Sequence, residues 1–127
     1  MKIIGVGCRQ GSERDEVLGA IDAVLAHYGV AKSSIHALAS VPLKSEEPGL
    51  VEAACTLGLP LLVPDAVGLA QADAHCLTRS PVSIAATGLG SASEAAALAA
   101  CGPGARLLGP RIIHQAITCA IASGAQQ

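Results

Sequence analysis

The sequence predicts an α/β protein: a three-layer α/β/α sandwich around a mostly parallel or mixed sheet of about five strands. Three observations point there. The chain opens with a short apolar run, a glycine turn and an amphipathic helix. A second apolar run, ended by proline, precedes another helical stretch. A glycine-rich turn at residues 87–90 then leads into an alanine-rich helix. Strands alternating with helices bury a sheet between two helical layers. At 127 residues the expectation is one domain, 1–127, with one core, and no internal repeat, linker or low-complexity segment divides it.

Lys2 to Cys8 reads as a buried first strand closed by glycines. Ser12 precedes Glu13, Asp15 and Glu16, acids suited to a first helical turn. Val17, Leu18, Ile21, Val24, Leu25 and Tyr28 then form one helical stripe, and Gly29 stops it. Ile35 to Val41 is the second strand, ended by Pro42 because proline removes a ladder donor. After the charged loop Leu43 to Gly49, Pro48 suits the first turn of a helix to about Leu57, with Gly58 as its stop. Leu59 to Val63 is a short third strand flanked by Pro60 and Pro64, and Asp65 caps a short helix through Gln71. Ala72 to Pro81 lacks periodicity and reads as a surface loop. Val82 to Thr87 is expected to be a strand. The helix after the glycine turn is expected to run to Cys101, where Gly102-Pro103-Gly104 breaks it. Leu107-Leu108 reads as a brief edge strand. Ile112 to Ala122 fits either a helical stripe or one face of a strand, and periodicity slightly favours helix.

Composition narrows the function. Apolar residues make up 51% of the chain, yet there is no Phe or Trp and only one Tyr. The core is therefore built from Leu, Ile, Val and Ala, and its helices and strands approach closely. A chain without aromatic platforms is poorly equipped to stack bases. Its 8 Lys and Arg are dispersed within a net charge of −2, so nucleic acid is not an expected partner. Cysteines 8, 55, 76, 101 and 119 form no C-x-x-C pair and no zinc spacing with the four histidines. Most of them read as small buried hydrophobes in a reducing compartment, and no metal is expected. The N-terminal apolar run is too short for a signal peptide and no run has the length of a transmembrane helix. The expected setting is the cytoplasm, with no membrane partner.

Loops at the carboxyl ends of strands gather at one edge of an open parallel sheet and form its ligand crevice. Three such loops are predicted: Gly7-Cys8-Arg9-Gln10-Gly11, Leu43 to Gly49, and Thr87 to Ser91. They would bring Arg9, Lys44, Glu46, Glu47, Thr87, Ser91 and Glu94 near one another. Gly88 and Gly90 let the backbone turn sharply and let a ligand approach. Free N–H groups and the positive end of the helix dipole suit a carboxylate or phosphate there. Ser91 and Glu94 have the spacing of a capping box. The same residues also fit a well-capped helix, a surface ion pair at Arg9 and a solvated loop around Lys44. Cys8 would need its thiolate favoured by Arg9 and a helix N-terminus; no histidine adjoins it in sequence, and a buried thiol is the simpler reading. Glu94 suits a cap better than a general base. Gly5-x-Gly7-x-x-x-Gly11 misses the dinucleotide-binding spacing by one residue, and Ala39-Ser40 stand where that pattern needs an acid. No cofactor is expected.

Three stretches in series resemble a known family. Gly5-Val6-Gly7-Cys8-Arg9-x-Gly11, Lys44-x-x-Glu47-Pro48-Gly49-Leu50 and Thr87-Gly88-x-Gly90-Ser91-x-x-Glu94-Ala95-Ala96-Ala97-Leu98 look like the CobE family of cobalamin-biosynthesis proteins. The same family forms the C-terminal domain of CbiG, the cobalt-precorrin-5A hydrolase. The resemblance extends over nearly the whole chain, with Arg111 where the family usually has a lysine. It implies a closing strand of small residues at Thr118 to Ala122, which tips the ambiguous last segment towards strand. It also implies a vitamin B12 pathway protein that holds or acts on a precorrin or corrin intermediate. Such macrocycles carry several acetate and propionate carboxylates. The implied ligand-binding set is Gly7, Cys8, Arg9, Lys44, Glu47, Thr87, Gly88, Gly90 and Ser91. The alternatives are a precorrin-modifying enzyme, a lactone hydrolase using Glu47, Glu94 or Cys8, and a non-catalytic partner subunit of another pathway enzyme. The chain resembles only the C-terminal part of the hydrolase.

Overall fold

A computed structural model describes residues 1–42 and 47–124. The strands are β1 (Lys2–Gly7), β2 (Ile35–Ala39), β3 (Leu61–Leu62), β4 (Arg106–Leu107), β5 (Ile112–His114) and β6 (Ile117–Ser123). The helices are α1 (Arg14–Tyr28), α2 (Pro48–Leu57), α3 (Ala66–Asp73), α4 (Pro81–Thr87) and α5 (Ala92–Cys101). The strands form one sheet in the order β3-β2-β1-β6-β4, with β5 also paired to β6. β1, β2 and β3 run parallel. β6 runs antiparallel to β1, from Gly7 opposite Thr118 to Lys2 opposite Ser123.

Helices cover both faces of this mixed sheet. On one face Ile4, Val6, Leu38, Cys119 and Ile121 pack against α1 and α2, which contribute Val17, Ile21, Val24, Leu50 and Ala53. On the other, Ile3, Ala37, Ala39 and Ala122 meet α3 and α5 through Leu69, Ala72 and Ala95 to Leu98. Side chains alternate across a strand, so the α5 side of β1 reads Ile3, Gly5, Gly7. The two glycines let the alanine-rich helix sit almost on the strand backbone. A Cβ on Gly5 would collide with the carbonyl oxygen of Ser93 and lie 2.9 Å from the nitrogen of Ala97.

The helix boundaries follow the local chemistry of the sequence. Glu13 is the N-cap of α1, and its N–H donates to Glu16 Oε1 at 2.8 Å. Gly29 and Gly58 close α1 and α2 in the left-handed conformation. Asp65 Oδ1 accepts from Gly68 N–H at 2.8 Å and starts α3.

Three expectations are corrected. Val82 to Thr87 is part of a helix. Ser80 caps it, its side chain accepting from Ser83 N–H, and Pro81 takes the first helical position. β-Branched residues at 82 and 84 mimic a strand, but Val82 is 79% exposed and Ile84 41%, so neither fills a sheet. The expected loop Ala72 to Pro81 is trimmed at both ends, since α3 continues to Asp73 and α4 begins at Pro81. The helical periodicity of residues 112–122 also misleads. The segment is a hairpin, β5 and β6, turning through Gln115 and Ala116 at φ 51° and 68°.

Candidate functional site

β1 delivers the first loop to the carboxyl edge of the sheet. Gly7 is flanked there by Thr118, whose Oγ1 donates to the Gly7 carbonyl at 3.4 Å, and by Ser93 at the start of α5. A Cβ on Gly7 would lie 2.5 Å from Thr118 Oγ1 and 3.9 Å from Ser93 N. Cys8 points into the α1 side of the core and is buried. Arg9 is exposed, and no carboxylate among the described residues pairs with its guanidinium. Its carbonyl accepts from Ser12 N–H at 3.2 Å and Ser12 Oγ at 2.9 Å, which closes the loop into a compact turn.

The second loop docks against the first. Glu47, the N-cap of α2, accepts the Gly11 N–H on Oε1 at 2.9 Å. Gly49 lies so close that a Cβ there would collide with the Ser12 carbonyl oxygen. Glu47 thus ties the start of α2 to the loop that carries Arg9. Lys44 and Glu46 lie outside the described residues.

The third stretch joins two helices rather than leaving a strand, which corrects the picture of three strand-end loops. Gly88 closes α4 at φ 77°. Most of the N–H groups in this turn already have protein acceptors. Gly88 donates to the Ile84 carbonyl, Leu89 to Thr87 Oγ1 at 3.2 Å, Gly90 to Asp73 Oδ1 at 2.8 Å and Ala92 to Ser83 Oγ at 3.2 Å. Thr87 Oγ1 itself donates to the Ser83 carbonyl at 2.8 Å. Ser91 and Ser93 are fully buried. Because α5 starts beside Gly7, this turn still stands at the same edge as the Arg9 loop.

Ser91 and Glu94 form half of the expected capping box. Ser91 Oγ accepts the Glu94 N–H at 3.4 Å. The Glu94 carboxylate, fully buried, turns away from the helix end. It accepts Leu77 N–H at 2.8 Å, Thr78 N–H at 2.9 Å, Thr78 Oγ1 at 2.8 Å and Arg111 N–H at 2.8 Å. Cys76 lies beside this group, with Sγ 3.7 Å from the Ser91 carbonyl. Burial, then the Glu94 and Asp73 carboxylates, push its thiol up to about 11, so it stays protonated at neutral pH. Among the described residues no group of three or more His, Cys, Asp or Glu is placed to hold a metal ion, and no single helix is long and apolar enough to cross a membrane.

Sequence reasoning missed Asp73, Thr78, Ser83 and Arg111 as organisers of this edge. The Ser80-Pro81 pair was a readable signal for α4. Nothing local marks the partners of Glu94, which lie 16 and 17 positions away.

Fold and edge together define a small α/β/α protein with the Arg9 loop, the Glu47 tie and the 87–91 turn at one edge of its mixed sheet. The chain belongs to the family described as "Cobalamin synthesis G C-terminus", which matches residues 2–122. It is 30% identical over 123 residues to Protein CobE from Sinorhizobium sp, covering 97% of this chain and 80% of that one. A crystal structure of CobE, a protein from the cobalamin (vitamin B12) biosynthetic pathway, superposes with a TM-score of 0.87 at 34% identity, over 96% of this chain and 89% of that one. The cobalamin biosynthesis protein chiG from Agrobacterium tumefaciens str. C58 gives 0.80 at 40% identity, over 99% and 100%. A cobalt-precorrin-5A hydrolase from Priestia megaterium is 36% identical over 55 residues, 43% of this chain but 15% of the hydrolase. The protein is thus a cobalamin biosynthesis protein related to CobE and CbiG.

Proposed function

We propose that the chain binds a precorrin or corrin intermediate at the carboxyl edge of its sheet, without itself breaking a bond. One observation carries the reading: Arg9 is exposed beside Gly7, on a loop fixed by Ser12 and Glu47, with its guanidinium unpaired among the described residues. A planar guanidinium carried on a fixed loop is suited to bidentate pairing with a carboxylate, and the periphery of a precorrin is rich in carboxylates. Lys44 supplies a second cation in this reading. The Thr87–Ser91 turn forms the wall opposite, and Gly88, with open space where a Cβ would stand, admits the ligand closely.

The three candidate catalysts are each engaged elsewhere. Glu94 is buried under four donors. Glu47 holds Gly11. Cys8 is a core thiol. Binding without turnover therefore accounts for the site better than a lactone hydrolase does. Titration with hydrogenobyrinic acid, a metal-free corrin bearing carboxylates, tests this. The expected result is a saturable change in corrin absorbance, with shifted amide resonances for residues 7–11 and 87–91. Unchanged spectra at high ligand concentration would falsify the proposal.

A further inference from the structure

We propose that Glu94 is a positioning residue for the Thr87–Ser91 wall: it makes no ligand contact and instead sets where that wall stands. The inference rests on the binding reading above and adds to it the device that shapes the site. Glu94 is the third residue of α5, where a side chain ordinarily folds back onto the N-cap N–H. Here it crosses to two distant segments. Oε1 holds Leu77 and Thr78, and Oε2 holds Thr78 Oγ1 and Arg111. Four donors fill the acceptor capacity of a carboxylate, and the accepting residue is itself fully buried, where a charge-assisted bond is strong.

The segment so held is what backs the wall. Ser80 N–H donates to the Gly90 carbonyl at 2.7 Å. The Thr78 carbonyl and the Arg79 guanidinium close on Gly90, each 3.0 Å from where a Cβ would stand. From the opposite side the Glu94 N–H reaches Ser91 Oγ. Apolar packing from α4 cannot do this job, because no α4 residue is buried. Leu89 anchors the turn in the core, and the polar ties that hold the segment behind it converge on the Glu94 carboxylate.

A glutamine at 94 has nearly the same shape but swaps one acceptor for a donor. Flipped either way, its amide N–H faces a backbone N–H, of Arg111 or of Leu77 and Thr78. The experiment compares Glu94→Gln and Thr78→Val with Val24→Ala, which weakens the core on the α1 face of the sheet. Amide hydrogen exchange and hydrogenobyrinic acid titration are both read. In Glu94→Gln, the Thr78 and Gly90 amides should exchange at least tenfold faster relative to those of α2, and affinity should fall tenfold or more. Thr78→Val should move both readouts about threefold in the same direction. Val24→Ala should leave the exchange ratio and the affinity unchanged at a comparable loss of melting temperature. Glu94→Gln with an unchanged exchange ratio, or with affinity within twofold of the parent, overturns the inference. If the parent chain binds no hydrogenobyrinic acid, the binding reading fails and the exchange ratio alone decides the role of Glu94. If Glu94→Gln does not fold, Thr78→Val decides: a ratio unchanged from the parent overturns the proposal.

Discussion

Two residues of the first strand and its loop work in opposite ways. Gly5 is needed for what it lacks. Adding a methyl group there drives α5 off β1, because the Ser93 carbonyl and the Ala97 nitrogen occupy the space. Overpacking of a close-packed core costs about 1–3 kcal/mol, and against backbone the cost lies at the upper end or beyond. Urea denaturation of Gly5→Ala should show that loss as a lowered midpoint. Arg9 is needed for what it carries. It is exposed and outside the core, so Arg9→Ala should leave the melting temperature within a degree or so of the parent. A hydrogen bond to a charged group contributes about 1.5–3 kcal/mol, so its loss should weaken hydrogenobyrinic acid binding tenfold or more in the titration. Equal affinities for the two proteins would remove Arg9 from the site.

At the scale of elements, α4 stands apart from the other helices. The rest bury an apolar stripe, whereas α4 buries none of its residues and is held by its caps at Ser80 and Gly88 and by Ser83 Oγ, which accepts the Ala92 N–H. Local stability follows burial. Ser80→Ala removes the cap, a loss of about 1 kcal/mol, and should raise exchange across residues 81–87 while the global melting temperature barely moves. A cooperative loss of the whole fold would contradict this account of α4. The same exposure explains why α4 was illegible as a helix in the sequence. Val82 and Ile84 have strand-like shapes, and the pattern of burial that would correct them is absent. The hairpin 112–123 was obscured for a different reason. Its turn places Gln115 and Ala116 at positive φ, without the Asn-Gly or Asp-Gly signature that usually announces such a turn. By contrast α1, α2 and α3 were legible because their stops and starts are written in Gly29, Pro48, Gly58 and Asp65. The Arg9 loop was legible from its glycines. The hub at Glu94 was not, since its partners come together only when α5 crosses the sheet.

At the scale of the whole molecule, burial pushes the Cys76, Cys101 and Cys119 thiols up. Desolvation raises Cys76 to about 11 from an ordinary 9.0 and pushes Cys119 higher still. Cys101 and Tyr28 are also raised, again chiefly by burial. A raised folded-state pKa means that the folded chain binds more protons than the unfolded chain between the two values. Stability from these groups is therefore complete below about pH 9 and is lost as pH rises towards 11 and beyond. Thermal melts from pH 8 to 11 should show a falling midpoint. Cys76→Ala should make that fall shallower, because it removes one of the linked protons. A midpoint that held steady to pH 11 would contradict the burial of these thiols.

The antiparallel course of β6 brings the last described residues back beside the first. Lys2 pairs with Ser123, and Gly124 N–H donates to the Met1 carbonyl at 2.8 Å. Both points lie at the edge of the sheet opposite Gly7, since β1 starts where β6 finishes. A tether or a fused partner attached at residue 1 or beyond residue 124 therefore departs from the far side of the molecule. The domain can be anchored to a sensor surface through that corner with Arg9 facing the solution.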